Sequence, residues 1–470
     1  MSKLQLRFCL GLIPLVFVSN MQLTAAQEES LENKIDTILS NWNSTDTPGA
    51  AVAYFHGGQM VFKKSYGLAN LEHGIAWTTD TVSDLGSVSK QFIGFAMALL
   101  AEQGHLTLDD DIRLHLKELP DFGETITIRH LFNHTSGLRE IYNTLFMVNR
   151  KPGDIIFQED AQTLVKNQAR LQFSPGSQYL YNNTEYMLLA DIIEAITDQE
   201  FHTWMAENIF VPLGMLDTHI MPRQGQVIPR VASSYVRDSE GHFTQRYDNS
   251  TIQGAGGIYS TVEDIAKWAF NFSSNKVGTR HTIETMTQSG FLTNGESLNY
   301  GLGIGVNTIG KVVQWSHGGS SAGYRSFLLY LPEHDRGYAF ITNTPSNGMP
   351  VAGLTEAFLG DVIEPPKPSE SAAAPDENPV VALENASIYT GRYLSDELEA
   401  FYTINLDDGK LNLSHRWLGS YGMDYLGNDE FDLNGTGGSI SFVRNDEDEI
   451  VGFVQDNGRT IGVEFRRIDQ

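Results

Sequence analysis

The 470-residue chain contains a single cysteine, Cys9, which lies in a short apolar run near the start. With that run assigned to a leader, the folded body has no disulfide framework, no thiol nucleophile and no cysteine-ligated metal. Long hydrophobic stretches are also missing. The run Phe8 to Val18 is too short to span a bilayer, and no later segment approaches the roughly 20 apolar residues a spanning helix needs. Positive charge is scarce: 32 Lys and Arg face 58 Asp and Glu, for a formal charge of −26. Nucleic acid and anionic membranes are therefore not expected partners, and the acid excess reads as a solubility device. His-Glu-x-x-His and His-x-His-x-Asp do not occur, so neither metal nor cofactor is expected. His130 and His134 are four apart without an accompanying carboxylate and read as structural groups near a helix end. Asp109-Asp110-Asp111 reads as a solvated turn or helix start.

The chain does contain a graded organisation. Lys3 and Arg7, the apolar run and the small residues Thr24-Ala25-Ala26 fit a secretory leader over residues 1–26, which predicts a periplasmic or secreted protein. Residues 27–363 follow as the main domain. A helix is predicted from Ser30 to Trp42, and strands over Gly49–Tyr54 and Gln59–Tyr66. An apolar helix is predicted from Ser87 to near Gly104, followed by a mainly helical region from Leu106 to Met215. Late strands over Arg325–Leu331 and Gly337–Asn343 precede a last helix over Val351–Val362. Strands at both ends of a helical middle imply one sheet completed by distant segments, in a mixed α/β domain with a helical insertion. Residues 364–383, rich in Pro, Ala and Ser, read as a linker. Residues 384–470 alternate apolar and polar positions in six short runs, predicting a small all-β barrel. With seven basic and seventeen acidic residues, this barrel either covers a site on the main domain or is a solvated appendage.

Ser87 and Lys90 stand three apart at the mouth of the apolar helix, a spacing that puts them on one face. A serine hydroxyl becomes a useful nucleophile when a base takes its proton, and a desolvated lysine can serve. Tyr181 and Asn183 lie in a turn before a helix, where both side chains can face one pocket. His317-Gly318-Gly319 places an imidazole before two glycines, which let a ligand approach the backbone closely.

In this order, Ser87-x-x-Lys90, Tyr181-x-Asn183 and His317-Gly318-Gly319 resemble the serine β-lactamase-like family. The resemblance is to its class C branch, which also holds DD-carboxypeptidases, D-aminopeptidases and esterases. Segments Ile128–Leu138, Pro212–Met215 and Ala255–Asp264 add to it, so that it spans about residues 30 to 362. It implies an α/β fold with an antiparallel sheet flanked by helices and a helical subdomain, followed by a lipocalin-like barrel as in related peptidases, and a serine hydrolase that forms an acyl-enzyme on Ser87. Lys90 and Tyr181 would share the proton transfers, each favouring the other's charged form. Which of them is the base for acylation stays open. Asn183 would bind the substrate amide or Lys90, and His317 would orient the leaving side of the substrate. The oxyanion would rest on the backbone N–H groups of Ser87 and Ser320, next to Gly319. A histidine where β-lactamases carry lysine offers no fixed charge to a carboxylate. Small peptide, amide or ester substrates are therefore expected ahead of β-lactams. The alternatives are a β-lactamase or a non-catalytic protein that binds peptide or peptidoglycan-like ligands.

Overall fold

The computed structural model describes residues 30–151, 153–363, 383, 385–415 and 419–468. The expected leader lies outside the described residues, as does the expected linker apart from Leu383. Ser30 caps the first helix, Leu31–Ile38, by accepting from the Asn33 N–H at 3.2 Å. A separate 3₁₀ turn, Ser40–Trp42, follows it, so the single predicted helix is broken in two.

Six antiparallel strands form the main sheet, in the order Gly305–Ile309, Val312–Ser321, Tyr324–Leu331, Arg336–Thr342, Ala50–His56 and Gln59–Tyr66. The N-terminal hairpin thus completes a sheet made from residues some 250 positions later, as the pattern of distant strands implies. Ala50–His56 is buried along almost its whole length because helices cover both faces of the sheet. On one face Tyr54 stacks on Phe358 of helix Val351–Leu359 with ring centroids 4.9 Å apart. On the other, helix Val262–Ser274 packs beneath Lys90–Glu102, with Phe92 and Phe95 against Trp268 at 4.4 and 5.2 Å. Every residue from Lys90 to Leu100 is buried, which explains why this helix is apolar all round rather than on one stripe.

The C-terminal region is a closed barrel of eight antiparallel strands, in which Gly391–Ser395 pairs with Thr460–Arg467 to close the ring. Six strands were legible in the sequence; Gly419–Gly427 and Glu430–Leu433 were not. The first carries three glycines in nine residues, which break its apolar alternation, but its neighbours on both sides supply the ladder it needs. Stacked rings fill the barrel interior, including Tyr402–Phe465 at 4.6 Å and Phe453–Phe465 at 4.7 Å. Met147, at the end of helix Ile141–Met147 of the main domain, joins the barrel core, and its carbonyl accepts from the Tyr402 hydroxyl at 2.6 Å. The barrel is therefore docked on the main domain.

Candidate active site

Ser87 lies in a 3₁₀ turn, Gly86–Ser89, that feeds directly into the buried helix. Two contacts hold the turn: the Gly86 N–H donates to Asp84 Oδ1 at 2.8 Å, and the Leu85 N–H donates to the Ile258 carbonyl at 2.9 Å. One helical turn on, Lys90 is wholly buried. Its Nζ donates to the Ala255 carbonyl at 2.7 Å, Asn183 Oδ1 at 2.8 Å and Ser87 Oγ at 3.3 Å. These contacts orient the amine, while burial pushes its pKa down to about 7. Arg459 lowers it further, and Glu140 opposes the shift. Close to neutrality, then, Lys90 is available as a free amine beside the serine hydroxyl.

Tyr181 lies just ahead of helix Asn183–Thr197, whose first residue is Asn183. Lys90 Nζ sits over the Tyr181 ring, 5.0 Å from its centroid. Burial pushes the Tyr181 phenol well above its ordinary value, although the nearby Ser87 hydroxyl acts against the shift. No hydrogen bond of ordinary geometry reaches its oxygen among the described residues. The Tyr181 phenol thus keeps its proton, with Lys90 Nζ lying against the face of its ring.

The third segment lies on strand Val312–Ser321. The pairing with Gly305–Ile309 ends at Gly305–Ser316, so no strand pairs with His317–Ser321 on that side among the described residues. That edge faces the Gly86–Ser89 turn. A Cβ on Gly86 would lie 2.5 Å from the Ser320 nitrogen, and one on Gly319 would lie 1.9 Å from the Leu85 carbonyl oxygen. Both positions accept only hydrogen, and the resulting contact brings the backbones of Ser87 and Ser320 together. His317 Nδ1 lies 2.7 Å from the Gly318 carbonyl and so carries the proton; Nε2 then accepts from the Tyr300 hydroxyl at 2.9 Å. Burial lowers the His317 pKa to about 4, so the ring is neutral at pH 7 and both of its nitrogens are engaged.

Several residues of the site were not singled out from the sequence. Tyr300, Glu140, Glu185 and Arg459 carry no spacing signal, and His134 read as structural. His134 is buried within 4.3 Å, centroid to centroid, of the Tyr181 ring. Its Nδ1 accepts from the Asn182 N–H at 3.1 Å and lies 2.6 Å from Glu185 Oε2. The Asn182 N–H makes Nδ1 the acceptor nitrogen of a neutral ring, with one in-plane lone pair that a protonated Glu185 shares with that amide. Burial drives both groups the same way, lowering His134 and raising Glu185. Glu185→Gln is accordingly expected to fold with nearly wild-type stability at pH 5. The native acid binds a proton that the unfolded chain sheds above about 4.5, so wild-type stability falls as pH rises beyond that value while the variant's does not. Denaturant melts between pH 5 and 9 check this; a variant that loses stability relative to wild type as pH rises would show that Glu185 is ionised.

Ser87, Tyr181, Asn183 and Ser320 line a cleft of about 620 Å³, to which the barrel contributes Asn457 and Arg459. The family profile described as Beta-lactamase matches residues 30–359. The chain belongs to the Beta-lactamase family. Among characterised relatives, it is 27% identical over 334 residues to penicillin-binding protein 4* of Bacillus subtilis (strain 168), covering 67% of this chain and 72% of that protein. It is also 27% identical over 331 residues to a D-aminopeptidase of Gluconobacter oxydans (strain 621H), covering 70% of this chain and 62% of that one. The octameric penicillin-binding protein homologue from Pyrococcus abyssi superposes with a TM-score of 0.61 at 24% identity, over 93% of this chain and 98% of that one. The D-amino acid amidase from Ochrobactrum anthropi SV3 superposes with a TM-score of 0.58 at 24% identity, over 70% and 99%. The Pyrococcus match extends through the barrel, and the amidase match covers 70% of this chain.

Proposed function

We propose that this protein is a serine hydrolase that cleaves small amides, including D-aminoacyl amides and short peptides, with esters as alternative substrates, through an acyl-enzyme on Ser87. The observation that carries the proposal is the buried Lys90 amine, held 3.3 Å from Ser87 Oγ by Asn183 and the Ala255 carbonyl. The neutral amine takes the Ser87 proton as Oγ attacks the carbonyl carbon. The negative charge that develops on the carbonyl oxygen falls to the backbone N–H groups of Ser87 and Ser320. Collapse of the tetrahedral species breaks the bond to the leaving amine or alkoxide, which takes up a proton from the Lys90 ammonium. The protonated Tyr181 phenol is a second donor facing the same atoms. Water then attacks the acyl group, with Lys90 again accepting the proton and returning it to Ser87 Oγ as the acyl–Oγ bond breaks and the acid leaves. Asn183 holds Lys90, and the neutral His317 supplies polarity without a fixed charge.

Family membership and the relatives named D-aminopeptidase and D-amino acid amidase support amides as the substrate class. The leader-like start of the chain supports a periplasmic or secreted location. Exposure to a fluorophosphonate or a labelled penicillin, followed by mass spectrometry, tests the chemistry: an adduct on Ser87 that Ser87→Ala abolishes is expected. Absence of an adduct with both reagents on folded protein would overturn the proposal. Turnover of D-aminoacyl amides and p-nitrophenyl esters is expected to exceed that of nitrocefin, and the reverse order would identify a β-lactamase.

A further inference from the structure

The barrel's last turn, residues 457–460, enters the main domain beside the nucleophile. Thr460 Oγ1 donates to the Glu140 carbonyl at 2.9 Å, and Asn457 Nδ2 donates to the Asn143 carbonyl at 3.1 Å. Arg139 of the main domain forms a buried ion pair with Glu397 of the barrel and donates to the Gly462 carbonyl at 3.0 Å. Thus fixed, the turn presents Arg459 over the Tyr181 ring, 5.4 Å from its centroid, with Nη2 3.6 Å from Glu140 Oε1. Glu140 is wholly buried. Its Oε1 also accepts from Asn183 Nδ2 at 2.7 Å, and its Oε2 accepts from the Asn143 N–H at 2.8 Å. Asn183 in turn holds Lys90 through Oδ1. A continuous polar chain therefore runs from the barrel to the amine beside Ser87: Arg459, Glu140, Asn183, Lys90.

We propose that Arg459 is a positioning residue for the Ser87–Lys90 pair, acting through Glu140 and Asn183, so that the barrel completes the active site of the main domain. The inference rests on the reading of Lys90 as the base. A buried carboxylate needs a compensating cation nearby. If Arg459 were absent, the cation nearest to Glu140 along this chain would be the Lys90 ammonium, and Glu140 would hold it in the protonated form that cannot accept the Ser87 proton. With Arg459 present, Glu140 is paired from the barrel side and Lys90 can give up its proton. The other groups around Lys90 are Glu185, His134, His317 and the Tyr181 and Tyr186 rings. Glu185 is protonated, the two imidazoles are neutral and the phenols keep their protons, so Glu140 and Arg459 set the local charge balance. The barrel's overall acidity is the wrong sign for this task, and one arginine at one turn reverses it locally.

The test uses the full-length protein with ¹³C-labelled lysine. The Lys90 resonance, assigned by its loss in Lys90→Met, is titrated by NMR in wild type, Arg459→Met, Arg459→Lys and Glu140→Gln. The wild-type midpoint is expected near pH 7. Arg459→Met is expected to raise it by about one unit, Arg459→Lys to restore it, and Glu140→Gln to lower it. The pH at which Ser87 labels with fluorophosphonate at half its maximal rate is expected to move with it. An unchanged midpoint in Arg459→Met, or slower labelling at every pH with no shift, would reduce Arg459 to a packing residue and overturn the inference. Should Arg459→Met not fold, the sign of the Glu140→Gln shift decides. Failure of wild-type Ser87 to label while the Lys90 midpoint still shifts would overturn the proposed function and leave only the coupling of Arg459 to Lys90 standing.

Discussion

Lys90→Met is expected to lower turnover about 10³-fold or more while leaving the protein folded. General-base assistance alone is worth roughly 10²–10⁴ in rate, and here the same side chain also fixes Asn183 and orients the serine hydroxyl. Methionine is unbranched, similar in length and easily buried, so the helix Lys90–Glu102 keeps its packing. The change strands the Ala255 carbonyl and Asn183 Oδ1, but it also removes an amine whose burial is costly. These opposing terms leave the thermal midpoint within a few degrees of wild type. The accompanying pH dependence has a definite sign. A base with a pKa near 7 is protonated and inert below that value, so the acylation rate rises with pH through about 7 and then levels off. Pre-steady-state acylation with a p-nitrophenyl ester between pH 5 and 9 measures both effects. Full activity in Lys90→Met, or a wild-type rate that falls as pH rises through 7, would exclude Lys90 as the base.

Gly319→Ala is expected to be severely damaging to activity although it removes no functional group. The added methyl would lie 1.9 Å from the Leu85 carbonyl oxygen and 2.3 Å from Ser326 Oγ. Neither atom can yield cheaply, because Ser326 Oγ donates to that same carbonyl at 2.5 Å and both sit in buried, hydrogen-bonded backbone surroundings. Strand Val312–Ser321 and the Leu85–Ser87 segment must therefore separate, which moves the Ser320 N–H away from the Ser87 N–H. Overpacking of this kind costs about 1–3 kcal/mol of stability, and loss of one oxyanion donor costs roughly 10²–10³ in rate. Gly318→Ala is the control. A Cβ there meets nothing closer than Phe327 Cδ2 at 3.8 Å, and activity within a few-fold of wild type is expected. Denaturant melts and single-turnover acylation on both variants separate the two contributions. Equal activity in the two would show that the backbone approach at Gly319 does not matter.

The legibility of the chain was uneven for identifiable reasons. The helix after Ser87 was visible because an unbroken apolar run has few other destinations, and the hairpin at Ala50–Tyr66 because its strand periodicity is local. The eight-stranded count of the barrel was not visible, since Gly419–Gly427 owes its extended form to neighbours on both sides rather than to its own residues. Ser87, Lys90, Tyr181 and Asn183 could be picked out because their motifs, taken together and in this order, resemble those of the serine β-lactamase-like family. The burial that lowers Lys90, the proton shared by His134 and Glu185, and the engagement of both His317 nitrogens depend on which distant groups close around them.

Sequence by itself determined the local elements, the candidate nucleophile with its amine partner, and the presence of a second, all-β region, because each of these depends on patterns a few residues long. Tertiary structure alone decided whether that region is an appendage or part of the site. Arg459 is 369 positions from Lys90, and nothing in its surroundings marks it out. Only the docking of the barrel, through the Arg139–Glu397 ion pair and the Glu140–Thr460 contact, carries its charge to Glu140. Electrostatic influence falls with distance in space and has no dependence on separation along the chain.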